Sequence, residues 1–171
     1  MSYTEPESQQ GAGGSEGFDA FFRRMYPQLV RIAYRVLGDQ EAASDVAQDV
    51  MLAAYARYPE DLTNPSAWVR SAAVHSALNH ARGGRRRGRR EARQVPREAV
   101  PAPDEQALEA DERRRVRQAL SRLPKEKATI LVLRHSGLSY LEVAEAMGIS
   151  PASVGTTLRR AEEQFRKEVT P

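Results

Sequence analysis

The 171-residue sequence predicts an all-α protein: two small helical domains joined by a flexible, proline-rich linker, the second domain carrying a helix-turn-helix. Three observations carry that prediction. Apolar residues recur at three- and four-residue steps through most of the chain, and no stretch alternates convincingly in the manner of a strand. Residues 94–103, QVPREAVPAP, hold three prolines, which neither a helix interior nor a central strand tolerates. Leu138 to Arg160, LSYLEVAEAMGISPASVGTTLRR, has the punctuation of two short helices about a tight turn. The expected organisation is a disordered tail at 1–17, a first domain at 18–93, a linker at 94–107 and a second domain at 108–171.

Composition narrows the function classes. Apolar residues make up 40% of the chain, enough for a core, and the net charge is only +3. There are no cysteines, which excludes a disulfide framework, a thiolate metal site and a thiol nucleophile. No apolar run approaches the roughly 18 residues of a membrane span. The N-terminus lacks a basic stretch followed by an apolar one, so a secretory signal is not expected. A cytoplasmic protein without membrane insertion is the expectation. The three histidines, His75, His80 and His135, are scattered, and no phosphate-cradling glycine loop or nucleophile–base spacing is present. No enzyme activity, no metal and no cofactor are expected.

Residues 1–17 are polar, glycine-rich and aperiodic, hence the tail. Phe18, Phe21, Phe22, Met25, Leu29, Ile32, Ala33, Val36 and Leu37 recur at helical steps and mark a helix, in which Pro27 is expected to kink the chain or start a second helix. Gly38 closes it and Asp39 caps the next helix, Gln40 to about Tyr58. Ala43, Val46, Ala47, Val50, Met51 and Ala54 form its inner stripe. Asp45, Gln48, Asp49 and Leu52 share another face by the same spacing. Two carboxylates, an amide and a leucine suit either plain solvated surface or a partner-docking face, and the residues alone favour the plainer reading.

Asn64-Pro65 reads as an N-cap and first helical residue, starting a helix to about Arg82. Trp68, the only tryptophan, suits core packing first and an edge contact with nucleic acid second. Arg82 to Arg93 then places seven arginines in twelve positions against one acid, Glu91. Such a run serves as a mobile solvated face or as a phosphate-backbone contact, and its lack of balancing acids favours the latter at least equally. It would supply affinity rather than sequence reading.

The second domain is expected to hold a helix ending before Pro124, another from Lys125 to His135, and then the helix-turn-helix. Ser139 is an N-cap whose partner Glu142, three residues on, completes a capping box. Gly148 stands where a left-handed residue ends the helix, and Ser150-Pro151 restarts it. Val154, Leu158, Ala161 and Phe165 give the last helix a core stripe. A plain helical hairpin shares part of this pattern. The coincidence of box, glycine and Ser-Pro favours a DNA-reading motif.

Three blocks in this order resemble the extracytoplasmic-function (ECF) group of bacterial RNA polymerase sigma factors of the sigma-70 family. They are FDAFFRRMYPQLVRIAYRVLGDQEAASDVAQDVMLAAY, NPSAWVRSAAVHSALNHAR and ALSRLPKEKATILVLRHSGLSYLEVAEAMGISPASVGTTLRRAEEQFR. The resemblance implies a chain that binds core RNA polymerase and directs promoter recognition and transcription initiation. It assigns the Asp45, Gln48, Asp49 and Leu52 face to the clamp coiled coil of the largest polymerase subunit. Asp61, Thr63, Asn64, Trp68, His75, Asn79, Arg82, Arg85, Arg86 and Arg87 fall where the family meets the −10 promoter region. Ala152, Ser153, Thr156, Thr157, Arg159 and Arg160 fall on the helix that meets the −35 element. The β flap of polymerase, promoter DNA and an anti-sigma factor are the implied partners. Two departures bear on promoter choice. Gly155 and Thr157 stand where a lysine and an arginine are usual, and Val74 and His75 where an arginine and an asparagine are usual, so altered −35 and −10 reading is expected. A stand-alone helix-turn-helix regulator and a degenerate, partner-binding sigma-like module are the alternatives.

Overall fold

Seven helices account for all the regular structure among the described residues. They are α1 (Phe18–Leu37), α2 (Gln40–Tyr55), α3 (Pro65–Glu91), α4 (Asp104–Arg122), α5 (Lys125–His135), α6 (Tyr140–Met147) and α7 (Pro151–Val169). The computed structural model describes residues 17–58, 62–91 and 104–169, with the side chains of 84–91 and 104–107 left aside. The expected disordered tail and most of the expected linker fall on 1–16 and 92–103, outside the described residues.

Local chemistry places the helix ends. The Asp39 carboxylate accepts the Ala42 N–H at 2.8 Å, and Asn64 Oδ1 accepts the Ala67 N–H at 3.0 Å. Each satisfies a donor that the first helical turn leaves unpaired. Gly38 and Gly148 close α1 and α6 with φ of 68° and 64°, a left-handed backbone that side-chain-bearing residues rarely take. The capping box forms as read: the Glu142 N–H donates to Ser139 Oγ at 3.3 Å, and the Ser139 N–H donates to Glu142 Oε2 at 2.9 Å.

One helix is not divided at its proline, and one runs further than the sequence implied. Pro27 neither ends α1 nor starts a second helix; α1 is continuous over 20 residues. Buried Phe21, Met25, Leu29 and Ile32 lie on both sides of Pro27, so packing on one stripe outweighs one lost backbone donor. Helix α3 continues past Arg82 to Glu91, through the arginine run. Arginine is among the better helix formers, which offsets the glycines interspersed there. Helix α2 ends at Tyr55, followed by turns through Tyr58. Helix α4 begins at Asp104, inside the last residues of the expected linker.

Helices α1, α2 and α3 pack on one another, and α4, α5 and α6 each pack on α7 or its neighbours. The two groups are not apart. Helix α3 packs against both α5 and α6, and α1 against α4 and α5, so buried side chains of all seven helices join in one core. The Arg117 guanidinium of α4 lies against Gly38, where a β-carbon would meet it at 2.5 Å. The left-handed backbone is what requires glycine here, since the guanidinium is the far end of a flexible side chain and can yield to a β-carbon.

Candidate functional site

Three surfaces hold the residues singled out in the sequence. The first is the outer face of α2. Val46, Ala47, Val50 and Met51 are buried against α1 and α3, and this fixes Asp45, Gln48 and Asp49 outward. Leu52 projects from the same face and is 71% exposed. Beside it lies a shallow groove of about 370 Å³ lined by Phe18, Phe22, Gln48, Asp49, Met51, Leu52 and Tyr55. Phe18 meets Tyr55 edge-on at 4.9 Å between ring centroids, and Phe22 stacks on Tyr26 at 5.1 Å. Tyr55 is 63% exposed. A carboxylate rim beside a preformed aromatic wall is the composition of a protein-docking site: charge orients the partner and the apolar wall supplies affinity. Phe22 and Tyr55 were missed in the sequence. Their signal was available, since Phe18 and Phe22, and Leu52 and Tyr55, are apolar pairs at helical spacing that extend beyond the core stripe.

The second surface is the side of α3 that the resemblance assigns to the −10 region. Asp61 lies outside the described residues, as do the side chains of Arg85, Arg86 and Arg87. Thr63 and Asn79 are exposed, and Trp68 is half-buried with the Arg57 guanidinium 5.4 Å from its ring centroid. The guanidinium covers one face of the indole by cation–π attraction. The remaining members are engaged by the second group of helices. The Asn64 side-chain amide donates to Glu145 of α6 at 3.2 Å. Arg82 donates to the backbone carbonyls of Leu123 at 2.8 Å and Ser121 at 3.3 Å, at the end of α4. His75 is half-buried; burial first, and the Lys125 ammonium second, hold its pKa below the usual histidine value. Arg70, absent from the sequence reading, bridges the groups. It donates to Gln28 of α1 at 3.2 Å and pairs with Glu142 of α6 at 3.1 Å, its side chain only 12% exposed. The Glu142 carboxyl is held below its usual range by the Ser139 backbone N–H first, then by the Ser139 hydroxyl and by Arg70.

The third surface is α7. Val154, Leu158 and Ala161 face the core, leaving Ala152, Ser153, Thr156, Arg159 and Arg160 exposed along one flank. Thr157 is half-buried and its hydroxyl donates to the Ser153 carbonyl at 2.8 Å, a bond inside its own helix. Gly155 sits on the side toward Tyr140 of α6, 3.7 Å from where its β-carbon would be.

Comparison with known proteins follows the same division. The family model described as Sigma-70 region 2 matches residues 21–87, and the one described as Sigma-70, region 4 matches residues 113–165. The ECF RNA polymerase sigma factor SigD of Mycobacterium bovis is 30% identical over 174 residues, covering 92% of this chain and 79% of that protein. The protein named "Probable RNA polymerase sigma factor RfaY" of Xanthomonas campestris pv. campestris is 28% identical over 167 residues; this chain spans 42% of its length. In fold, the chain resembles the sigma factor RpoE in its co-crystal structure with the anti-sigma factor NepR from Bartonella quintana. The TM-score is 0.53 with 20% identity, over 89% of this chain and 96% of that one. Among the described residues no helix is long and apolar enough to cross a membrane.

Proposed function

This chain belongs to the ECF group of the sigma-70 family, and on that premise we propose that it docks on core RNA polymerase and carries it to promoter DNA. The residues divide the work by surface. Asp45, Gln48, Asp49 and Leu52, with the aromatic groove beside them, meet the clamp coiled coil. The α3 side with Thr63, Asn64, Trp68, His75, Asn79 and Arg82, continued by the arginine run, takes the −10 region. The exposed flank of α7, from Ala152 to Arg160, lies in the −35 major groove, and the second helical group also meets the β flap. Residues 18–93 and 108–171 are the two working domains, joined by 94–107. Sigma factors are generally non-enzymatic regulators, and binding energy suffices for this role. It acts where polymerase does, in the cytoplasm.

The observation that carries this reading is the α2 face. A helix with one side sealed in the core presents two carboxylates, an amide and an exposed leucine beside an aromatic groove, and duplex DNA has no use for such a face. An anti-sigma partner suits the groove of about 1100 Å³ bounded by Val30 and Tyr34 of α1, Val116 and Leu120 of α4 and Phe165 of α7. The test is reconstitution. The parent chain mixed with core polymerase gives specific transcripts from a panel of promoter fragments. The double variant Asp45→Arg, Asp49→Arg loses polymerase binding and retains duplex DNA binding. No association of the parent with core enzyme refutes the proposal. Transcription-independent DNA binding alone would favour a stand-alone regulator.

A further inference from the structure

We propose that residues 1–16 are an intrachain occupant of the groove between α1, α4 and α7, held there by Glu5 and Glu7 on Arg31 and Arg35 until a partner displaces them. The inference does not depend on the polymerase reading, since groove, segment and test all belong to the free chain.

The groove is apolar and cationic at once. Val30 and Tyr34 of α1, Val116 and Leu120 of α4 and Phe165 of α7 give it an apolar lining within about 1100 Å³. Arg31, Arg35, Arg113, Arg117 and Arg166 line it too, and they outnumber the carboxylates of Glu109, Glu112 and Glu162. Glu109 is already paired with Arg113 at 2.9 Å. Arg31, Arg35 and Arg166 are exposed, with no carboxylate partner among the described residues. A guanidinium fork matches a carboxylate in shape and charge, so this groove suits an acidic occupant with some apolar surface.

Residues 1–16, MSYTEPESQQGAGGSE, hold Glu5, Glu7 and Glu16 and no lysine or arginine. Charge directs such a segment away from the α2 groove, which Asp49 lines, and toward the arginines. The reach is sufficient. Tyr34 lies about 26 Å from Gly17 along α1, and the stretch from Glu7 to Gly17 spans up to about 33 Å. The spacing also matches. Pro6 disfavours a helical backbone at Glu5, and in an extended chain residues two apart share one side, about 6.5–7 Å from each other. Arg31 and Arg35 stand about one turn apart on α1, roughly 6 Å along its axis. Glu5 and Glu7 therefore meet both guanidinium groups together, and Tyr3, on the same side of an extended chain, brings an aromatic ring to the apolar lining. A partner for this groove then binds only the fraction of chains that have released the segment, and its apparent affinity falls by that fraction.

The chain has no cysteine, so a nitroxide on Ser8→Cys marks a position beside Glu7 and nowhere else. In amide magnetic-resonance spectra of the isotope-labelled full-length chain, the nitroxide should extinguish the signals of Arg31, Tyr34 and Arg35 selectively, with the ascorbate-reduced label as reference. The variant Glu5→Gln, Glu7→Gln should restore those signals. Arg31→Gln, Arg35→Gln, made from the other side, should do the same; both arginines are exposed and glutamine is a comparable helix former, so α1 keeps its fold. Loss of signal at Phe22, Leu52 and Tyr55 instead places the segment on the α2 face and overturns the proposal, as does a uniform or absent loss. Loss at the groove that survives both variants overturns the charge pairing. Loss at the groove when nitroxide-bearing chain without isotope is mixed with isotope-labelled chain without nitroxide assigns the occupant to a second copy, and the intrachain reading falls.

Discussion

Replacing Leu52 and its neighbour Met51 by alanine, one at a time, should separate docking from folding. Met51 is 1% exposed and sits in the core; Leu52 is 71% exposed and touches little in the free chain. Truncating a buried methionine removes transfer energy and leaves a cavity, so Met51→Ala should cost about 2–5 kcal/mol of stability. Leu52→Ala should stay within about 0.5 kcal/mol of the parent in the same measurement. Docking reverses the order. Burying a whole leucine side chain is worth roughly 1.5–3 kcal/mol, and seven-tenths of this one is still available to a partner, so its loss should weaken polymerase binding by about 1–2 kcal/mol, roughly five- to thirtyfold. Urea unfolding followed by circular dichroism reads the first quantity. Competition of each variant against fluorescently labelled parent chain for core polymerase, below the unfolding range, reads the second. A Leu52→Ala protein as tightly bound as the parent would refute the assignment of the α2 face. A Leu52→Ala protein destabilised as much as Met51→Ala would refute the exposed placement itself.

Two further outcomes are expected. Gly155→Ala should stabilise α7 by about 0.5–1 kcal/mol, since its β-carbon meets only Tyr140 Cε2 at an ordinary 3.7 Å and the helix gains a better former; the denaturation midpoint checks it. His75, whose pKa is lowered by burial and by Lys125, takes its proton more readily once unfolded, so stability should fall as pH drops from 6.5 toward the lowered folded value; a pH series of urea midpoints, flattened in His75→Gln, reads this.

What the sequence revealed and what it hid divide by distance along the chain. The capping box of Ser139 and Glu142, the left-handed Gly38 and Gly148 and the Asp39 and Asn64 caps all form within three or four residues, and each was readable as written. The exposure of Asp45, Gln48, Asp49 and Leu52 followed from the helical period once Val46 and Val50 were placed inside. Whether Pro27 would divide α1 was left open by the sequence, because the decision lay with tertiary contacts on both sides of it. Nor were the Arg70–Glu142 and Asn64–Glu145 contacts, the latter across 81 residues. No periodicity joins such positions. Two charged side chains with exposed-looking neighbours gave no reason to pair, and the expectation of two tethered modules carried no hint that they meet.

Arg82 shows what that meeting implies for salt. Here its half-buried guanidinium rests on two neutral carbonyls at the end of α4, a charge–dipole contact that salt weakens less than a pair of exposed full charges. Once exchanged for a phosphate, the same cation enters a contact that weakens steeply as counterions accumulate. A single side chain thus makes ionic strength act more strongly on its nucleic-acid contact than on its resting place within the fold.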